Sequence, residues 1–185
     1  MGMKREHRLE GERVYSGCIV RLDVDRVRLG SGVETIREVV RHPGASLVVP
    51  VLDDGRVVFV RQYRYAVAET LIELPAGKLD TTGEEPLACA QRELAEETGY
   101  AARTWRRLGE FYTTPGFTDE KIHCYLATGL LPAQGRSADE DECIEVVTVP
   151  MSEAIELVRR GAIRDAKTIA ALLLVQMSQA AGVTQ

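Results

Sequence analysis

The sequence contains no polybasic run and no long apolar one. Lys and Arg number 23 against 28 Asp and Glu, so the net charge is −5 and clustered cations are missing. Holding a nucleic-acid backbone depends on such clusters, so no nucleic-acid partner is expected. The longest apolar stretch, Ile169 to Val175, is too short to span a bilayer, and no membrane partner is expected either. The opening segment "MGMKREHRLE" has no apolar run, which predicts the absence of a secretory signal. The four cysteines (Cys18, Cys89, Cys124 and Cys143) are scattered and form no CxxC pair. That spacing argues against a disulfide framework or a zinc knuckle and predicts reduced thiols in a cytoplasmic protein. Internal repeats, low-complexity segments and long linkers are also missing. What remains is an ordinary globular composition, 45% hydrophobic and 28% charged, in a chain of 185 residues. That length suits one domain with a real core plus a small extension.

Residues 8 to 42 alternate polar and apolar side chains around a Gly30-Ser31-Gly32 break, the pattern of a small antiparallel meander. Two β-branched runs then flank Asp53-Asp54-Gly55, a hairpin signal. "TLIELPAG" reads as a buried strand stopped by a Pro-Ala-Gly turn. Pro86 suits the first turn of a helix over 86–98, and Gly99 suits its stop. Strands are expected at 104–112 and 120–128, joined by "TTPGFTD", and at "CIEVVTV" after the acidic loop "SADEDE". Two closing helices are predicted, "MSEAIELVRRG" and the largely apolar "DAKTIAALLLVQMSQA". This order of elements predicts an α+β fold, a mixed β-sheet sandwiched between helices, with a small N-terminal antiparallel β extension.

The most unusual segment is Arg92-Glu93-Leu94-Ala95-Glu96-Glu97, with three carboxylates in six residues. On a helix, Glu93 and Glu97 stand one turn apart on one face, Glu96 lies on the adjacent row, and Arg92 can pair with Glu96. Leu87, Ala90 and Leu94 fall on another face and can be buried. Clustered like charge of this kind is mildly destabilising unless a cation compensates it. Several carboxylate oxygens at one point suit a hard divalent ion such as Mg²⁺, with Mn²⁺ as a substitute. They do not suit zinc, since no His or Cys is adjacent.

Gly77, Glu84 and the run Arg92 to Tyr100 resemble the Nudix box, G-x5-E-x7-R-E-U-x-E-E-x-G-U, where U is apolar. The part from Glu84 to Tyr100 matches without a gap. Six residues rather than five separate Gly77 from Glu84, so strict spacing would put Lys78 at the glycine position. The reading adopted is a one-residue loop insertion that leaves Gly77 in its role. "RQYRYAV", "ELPAGKLD", Pro115 fifteen residues after Tyr100, and "DAKTIAALL" extend the similarity toward the ADP-ribose pyrophosphatase branch, over roughly residues 10 to 175.

The resemblance implies roles. Glu93 and Glu97 would be the main metal ligands, Glu96 would serve a further ion, and the Ala76 carbonyl would complete the set. Arg92 would orient the glutamates. The proton of the attacking water would go to an acidic loop outside the box, with Glu142 favoured and Glu140 second within Asp139 to Glu142. Arg61, and after it Arg64, would clamp the diphosphate. Glu73 would hydrogen-bond ribose or adenine, or serve as a buried cap, while Pro115 and Phe117 would shape the distal ribose pocket. Tyr15 and His123 are read as packing and structural residues. The branch also implies a homodimer built through an N-terminal region, here residues 1–45, ahead of a hydrolase domain at 46–185.

The activity so implied is metal-dependent hydrolysis of ADP-ribose to AMP and ribose 5-phosphate. One alternative keeps the reaction and changes the nucleoside diphosphate sugar, for example to GDP-mannose. Another is a nucleotide sensor without hydrolysis, against which the intact Glu93, Glu96 and Glu97 argue.

Overall fold

A computed structural model of the chain describes residues 5–79, 83–133 and 143–180. The chain divides into two compact units, residues 1–44 with 112–121, and residues 45–111 with 122–185.

The first unit is built on an antiparallel meander of β1 (His7–Ser16), β2 (Arg21–Arg28) and β3 (Glu34–Arg41). Arginine–aspartate pairs cross it. Arg13 Nε donates to Asp23 at 2.7 Å, Arg41 Nε donates to the same carboxylate at 2.9 Å, and Arg8 Nε donates to Asp25 at 2.7 Å. Residues 112–121 return to this unit, a return that the sequence reading did not anticipate. Val40 N–H donates to the Phe117 carbonyl at 2.8 Å, and Asp119 accepts from His42 N–H at 2.8 Å and from Arg41 at 3.2 Å.

The second unit holds a seven-stranded mixed sheet. Its strands are β4 (Ala45–Val51), β5 (Arg56–Arg64), β6 (Glu69–Glu73), β7 (Ala76–Lys78), β8 (Tyr100–Tyr112), β9 (Lys121–Pro132) and β10 (Ile144–Pro150). The main order is β10-β5-β4-β9-β8, with β6 paired to β5 and β7 to β4. β4 and β9 run parallel, while β5 is antiparallel to β10 and β6. The helices are α1 (Pro86–Thr98), α2 (Met151–Arg159) and α3 (Ala166–Ala180).

Period-two alternation along β4 assigns its faces to different helices. Leu47 and Val49 pack with Phe59, with Ala154 of α2 and with Ala171, Leu172 and Val175 of α3. Val48 packs with Ala90 and Leu94 of α1 and with Tyr125 and Ala127 of β9. The sheet therefore lies between helices, as expected for an α+β sandwich.

Three boundaries differ from expectation, among them the end of β9, which runs to Pro132 rather than stopping at 128. "TLIELPAG" is two short strands rather than one. β6 stops at Glu73, and the Pro75 carbonyl then accepts from Val48 N–H at 2.9 Å, leading directly into β7. β8 starts at Tyr100, four residues early, because Gly99 (φ 70°) ends α1 by sending its N–H to the Ala95 carbonyl at 3.0 Å. A left-handed residue there turns the chain without an intervening loop.

Candidate active site

α1 begins on Pro86, which needs no N–H partner and is preset for the first helical position. Its apolar residues Ala90 and Leu94 are fully buried, and they fix the rotation of the helix. That rotation brings the acidic row to one edge, where Arg92 is the hub. Its Nη1 donates to Glu93 at 2.6 Å and to Glu96 at 2.9 Å, and its Nε donates to Glu84 at 3.3 Å. Its Nη2 donates to the Lys78 carbonyl at 3.1 Å. Burial works against the guanidinium's charge, but Glu84, Glu96 and Glu93 outweigh it and hold Arg92 more firmly protonated than a free arginine.

β7 closes the other side of the site. A Cβ at position 77 would overlap the Glu93 carboxylate, so any larger residue there would push that carboxylate out of its place. Gly77, not Lys78, is the residue whose backbone lies against Glu93. Ala76 N–H donates to Glu97 Oε2 at 3.1 Å, and Glu97 is only 8% exposed. Cys89 Sγ lies 3.2 Å from the Lys78 carbonyl and donates to it. Burial pushes this thiol up to about 11, so it keeps its proton at neutral pH. Ala76 and Lys78 of β7 are thus hydrogen-bonded by Cys89, Arg92 and Glu97 of α1, and Gly77 lies against Glu93.

These donors are all carboxylates plus a nearby backbone carbonyl, the chemistry that hard divalent cations take. Among the described residues, no three acidic, histidine or cysteine side chains already stand in metal-holding geometry. The reason is visible. Glu93 and Glu96 turn toward Arg92, and Glu97 turns toward Ala76 N–H. The donor set fits Mg²⁺ by composition and requires side-chain rotation to receive it.

A second charged cluster lies in the same unit. Glu73 is 1% exposed and takes a bidentate pair from Arg64, at 2.8 and 3.0 Å. Lys167 Nζ also donates to Glu73, and to Asp165 at 2.9 Å. Burial alone would raise the Glu73 carboxyl, but Arg64 and Lys167 outweigh it and hold it below the usual range. Arg64 is in turn held charged, first by Glu73 and also by the nearby Glu97 and Asp165. Lys167 and Asp165 were missed as site residues. The segment "DAKTIAALL" signalled their position but nothing in it named their partner.

The other expected residues are distributed as follows. Arg61 is an exposed residue within β5, paired in register with Glu145 of β10 and Ile72 of β6, and it donates to Glu145 at 3.1 Å. Pro115 and Phe117 lie exposed in the 112–121 segment of the first unit. Glu140 and Glu142 fall outside the described residues. Tyr15 is 57% exposed rather than packed, and His123 stands on β9 with Nδ1 3.6 Å from Glu110.

Comparison with known proteins agrees with this architecture. The NUDIX domain family matches residues 40–172. The chain belongs to the Nudix hydrolase family. It is 42% identical over 176 residues to the ADP-ribose pyrophosphatase of Bacillus subtilis, covering 95% of each chain. It is 40% identical over 176 residues, again 95% of each, to the methanol dehydrogenase activator of Bacillus methanolicus. A GDP-mannose pyrophosphatase of Escherichia coli O1:K1 is 38% identical over 157 residues, 76% of this chain and 81% of that one. A solved structure described as an ADP compounds hydrolase superposes with a TM-score of 0.87 over the full length of both chains at 23% identity, which is a likeness of fold.

Proposed function

We propose that this chain hydrolyses the pyrophosphate bond of ADP-ribose, with Mg²⁺, to AMP and ribose 5-phosphate. The observation that carries the reading is the placement of Glu93, Glu96 and Glu97 on one edge of α1 against Gly77 and Ala76. Relatives named ADP-ribose pyrophosphatase match at 42% and 41% identity, over 95% and 90% of the chain, and support the substrate choice.

In this reading Glu93, Glu97 and Glu96, with the Ala76 carbonyl, hold the metal. A divalent ion there would neutralise phosphate oxygens and lower the pKa of a water it holds. Arg92 keeps the glutamates gathered when the ion is away and orients them when it is present. The attacking water gives its proton to a carboxylate among residues 139–142, Glu142 first and Glu140 second. Water oxygen bonds to phosphorus while the bridging P–O bond breaks. Arg61 is the better diphosphate clamp, because its exposed pair with Glu145 is weak and opens easily. Arg64 is committed to the buried Glu73, where breaking a pair is costly.

The first unit supports a homodimer through residues 1–45. Its sheet exposes Val14, Tyr15 and Ile36, and the β1–β2 connection exposes Ile19 and Val20, apolar surface that a second copy would cover. A cytoplasmic location is part of this reading, supported by four cysteines that form no disulfide; among the described residues no helix is long and apolar enough to cross a membrane.

The test is a panel of ADP-ribose, GDP-mannose, NADH, diadenosine polyphosphates and 8-oxo-dGTP with Mg²⁺, scored by nucleoside monophosphate or phosphate release. The highest kcat/KM is expected for ADP-ribose. A preference for GDP-mannose, the second reading that the Escherichia coli relative supports, would replace the substrate and keep the chemistry.

A further inference from the structure

The N-terminal turn of α3 grips the strand that leads into the carboxylate site. Glu73 and Lys167 are 94 positions apart in sequence, yet the lysine ammonium donates to this buried carboxylate. One residue on, Leu74 N–H donates to Thr168 Oγ1 at 2.9 Å, and that hydroxyl donates to Asp165 at 2.6 Å. Asp165 also accepts from Thr168 N–H at 2.9 Å, so the residue that caps α3 also holds Lys167 and Thr168, the two residues that grip Glu73 and Leu74. Two residues further, the backbone reaches Ala76, whose N–H sets Glu97, and then Gly77, which lies against Glu93.

Glu73 to Gly77 is therefore a five-residue bridge. Its end at Ala76–Gly77 contacts two carboxylates of α1, and its beginning is fixed by Lys167 and Thr168. A carboxylate as buried as Glu73 is stable only with its charge compensated. Removing Lys167 leaves Arg64 as its remaining named cation, and Arg64 is also close enough to Glu97 to feel its charge.

We propose that Lys167 is a positioning residue for the metal-holding carboxylates, acting through Glu73 and the backbone to Ala76. This rests on the proposed metal-dependent reading of the site. Outer partners of metal ligands typically set ~10–100-fold in metal affinity, so about a tenfold loss of Mn²⁺ affinity is expected for Lys167→Met.

The experiment measures binding of Mn²⁺ alone to the full-length chain by electron paramagnetic resonance, with thermal midpoints alongside. Lys167→Met should bind Mn²⁺ about tenfold more weakly, and Lys167→Arg should recover most of that loss. Leu172→Ala, a core truncation in the same helix, should lower the midpoint and leave Mn²⁺ affinity unchanged. Thr168→Val cuts the Leu74 bond without changing charge and carries the same expectation should Lys167→Met not fold. Unchanged Mn²⁺ affinity in a folded Lys167→Met, or in Thr168→Val in its place, would overturn the proposal, even with a lowered midpoint. Failure of the unsubstituted chain to bind Mn²⁺ would overturn the metal reading beneath it.

Discussion

Gly77→Ala separates the site's requirements from those of the fold. Gly77 does not have a positive φ, so alanine meets no backbone strain there. The substitution would by itself stabilise by about 0.4–1 kcal/mol through a less free unfolded chain. Against this stands the overlap of the new methyl with the Glu93 carboxylate. The atoms in the way are the far end of a flexible side chain, so Glu93 swings aside at low energetic cost. The two effects nearly cancel, and the thermal midpoint should move little. Activity should not tolerate the change. Displacing a positioned group by about 1 Å can cost ~10²-fold, equivalent to ~2.7 kcal/mol of transition-state stabilisation. The assay is AMP release from ADP-ribose across a Mg²⁺ titration, with circular dichroism melting in parallel. Pairing Gly77→Ala with Glu93→Asp shortens the acid by one methylene and should recover part of the rate lost in Gly77→Ala alone. Full activity in Gly77→Ala, or loss of activity only in proportion to loss of folded protein, would refute the reasoning.

Glu97→Gln keeps an acceptor for Ala76 N–H but removes the charge. Turnover should fall by roughly 10²-fold or more, above the usual effect of an outer partner, with an unchanged far-ultraviolet spectrum. Glu142→Gln should slow turnover at constant Mn²⁺ affinity, and a normal rate would move the base to Glu140. Asp23 tests the first unit. Hydrogen bonds from Arg13 and Arg41 hold its carboxyl down at about 2, below the ordinary 3.8. A folded pKa below the unfolded one stabilises above the unfolded value, so this contribution is present above pH ~4 and is lost as pH falls through about 2. Melting between pH 5 and 2 should therefore show a smaller loss of midpoint for Asp23→Asn than for the unsubstituted chain.

Much of this site was legible because its signals are local. Pro86 and Gly99 bracket α1, and the spacing of Arg92, Glu93, Glu96 and Glu97 fixes which face they share. β7 was not legible, because Pro75-Ala76-Gly77 has turn composition. Its strand character comes from pairing with Ala45 to Leu47, a tertiary effect. The return of 112–121 to the first unit was hidden for a similar reason. Asp119 meets His42 across 77 positions, and no periodicity encodes that contact. Arg64 illustrates the limit most clearly. As a residue type it suits a diphosphate, but its partner Glu73 lies on a neighbouring strand and its neighbour Lys167 on a distant helix.

The central claim is that α1 gathers three carboxylates for a divalent ion that engages a diphosphate. Anomalous diffraction from crystals soaked with Mn²⁺ and AMP is the direct measurement. The account predicts a manganese peak bounded by Glu93, Glu96 and Glu97, with at least one of the Arg92 contacts to Glu93 or Glu96 given up to the ion. Manganese density elsewhere only, with Arg92 still bridging both glutamates and Glu97 still on Ala76 N–H, would contradict it.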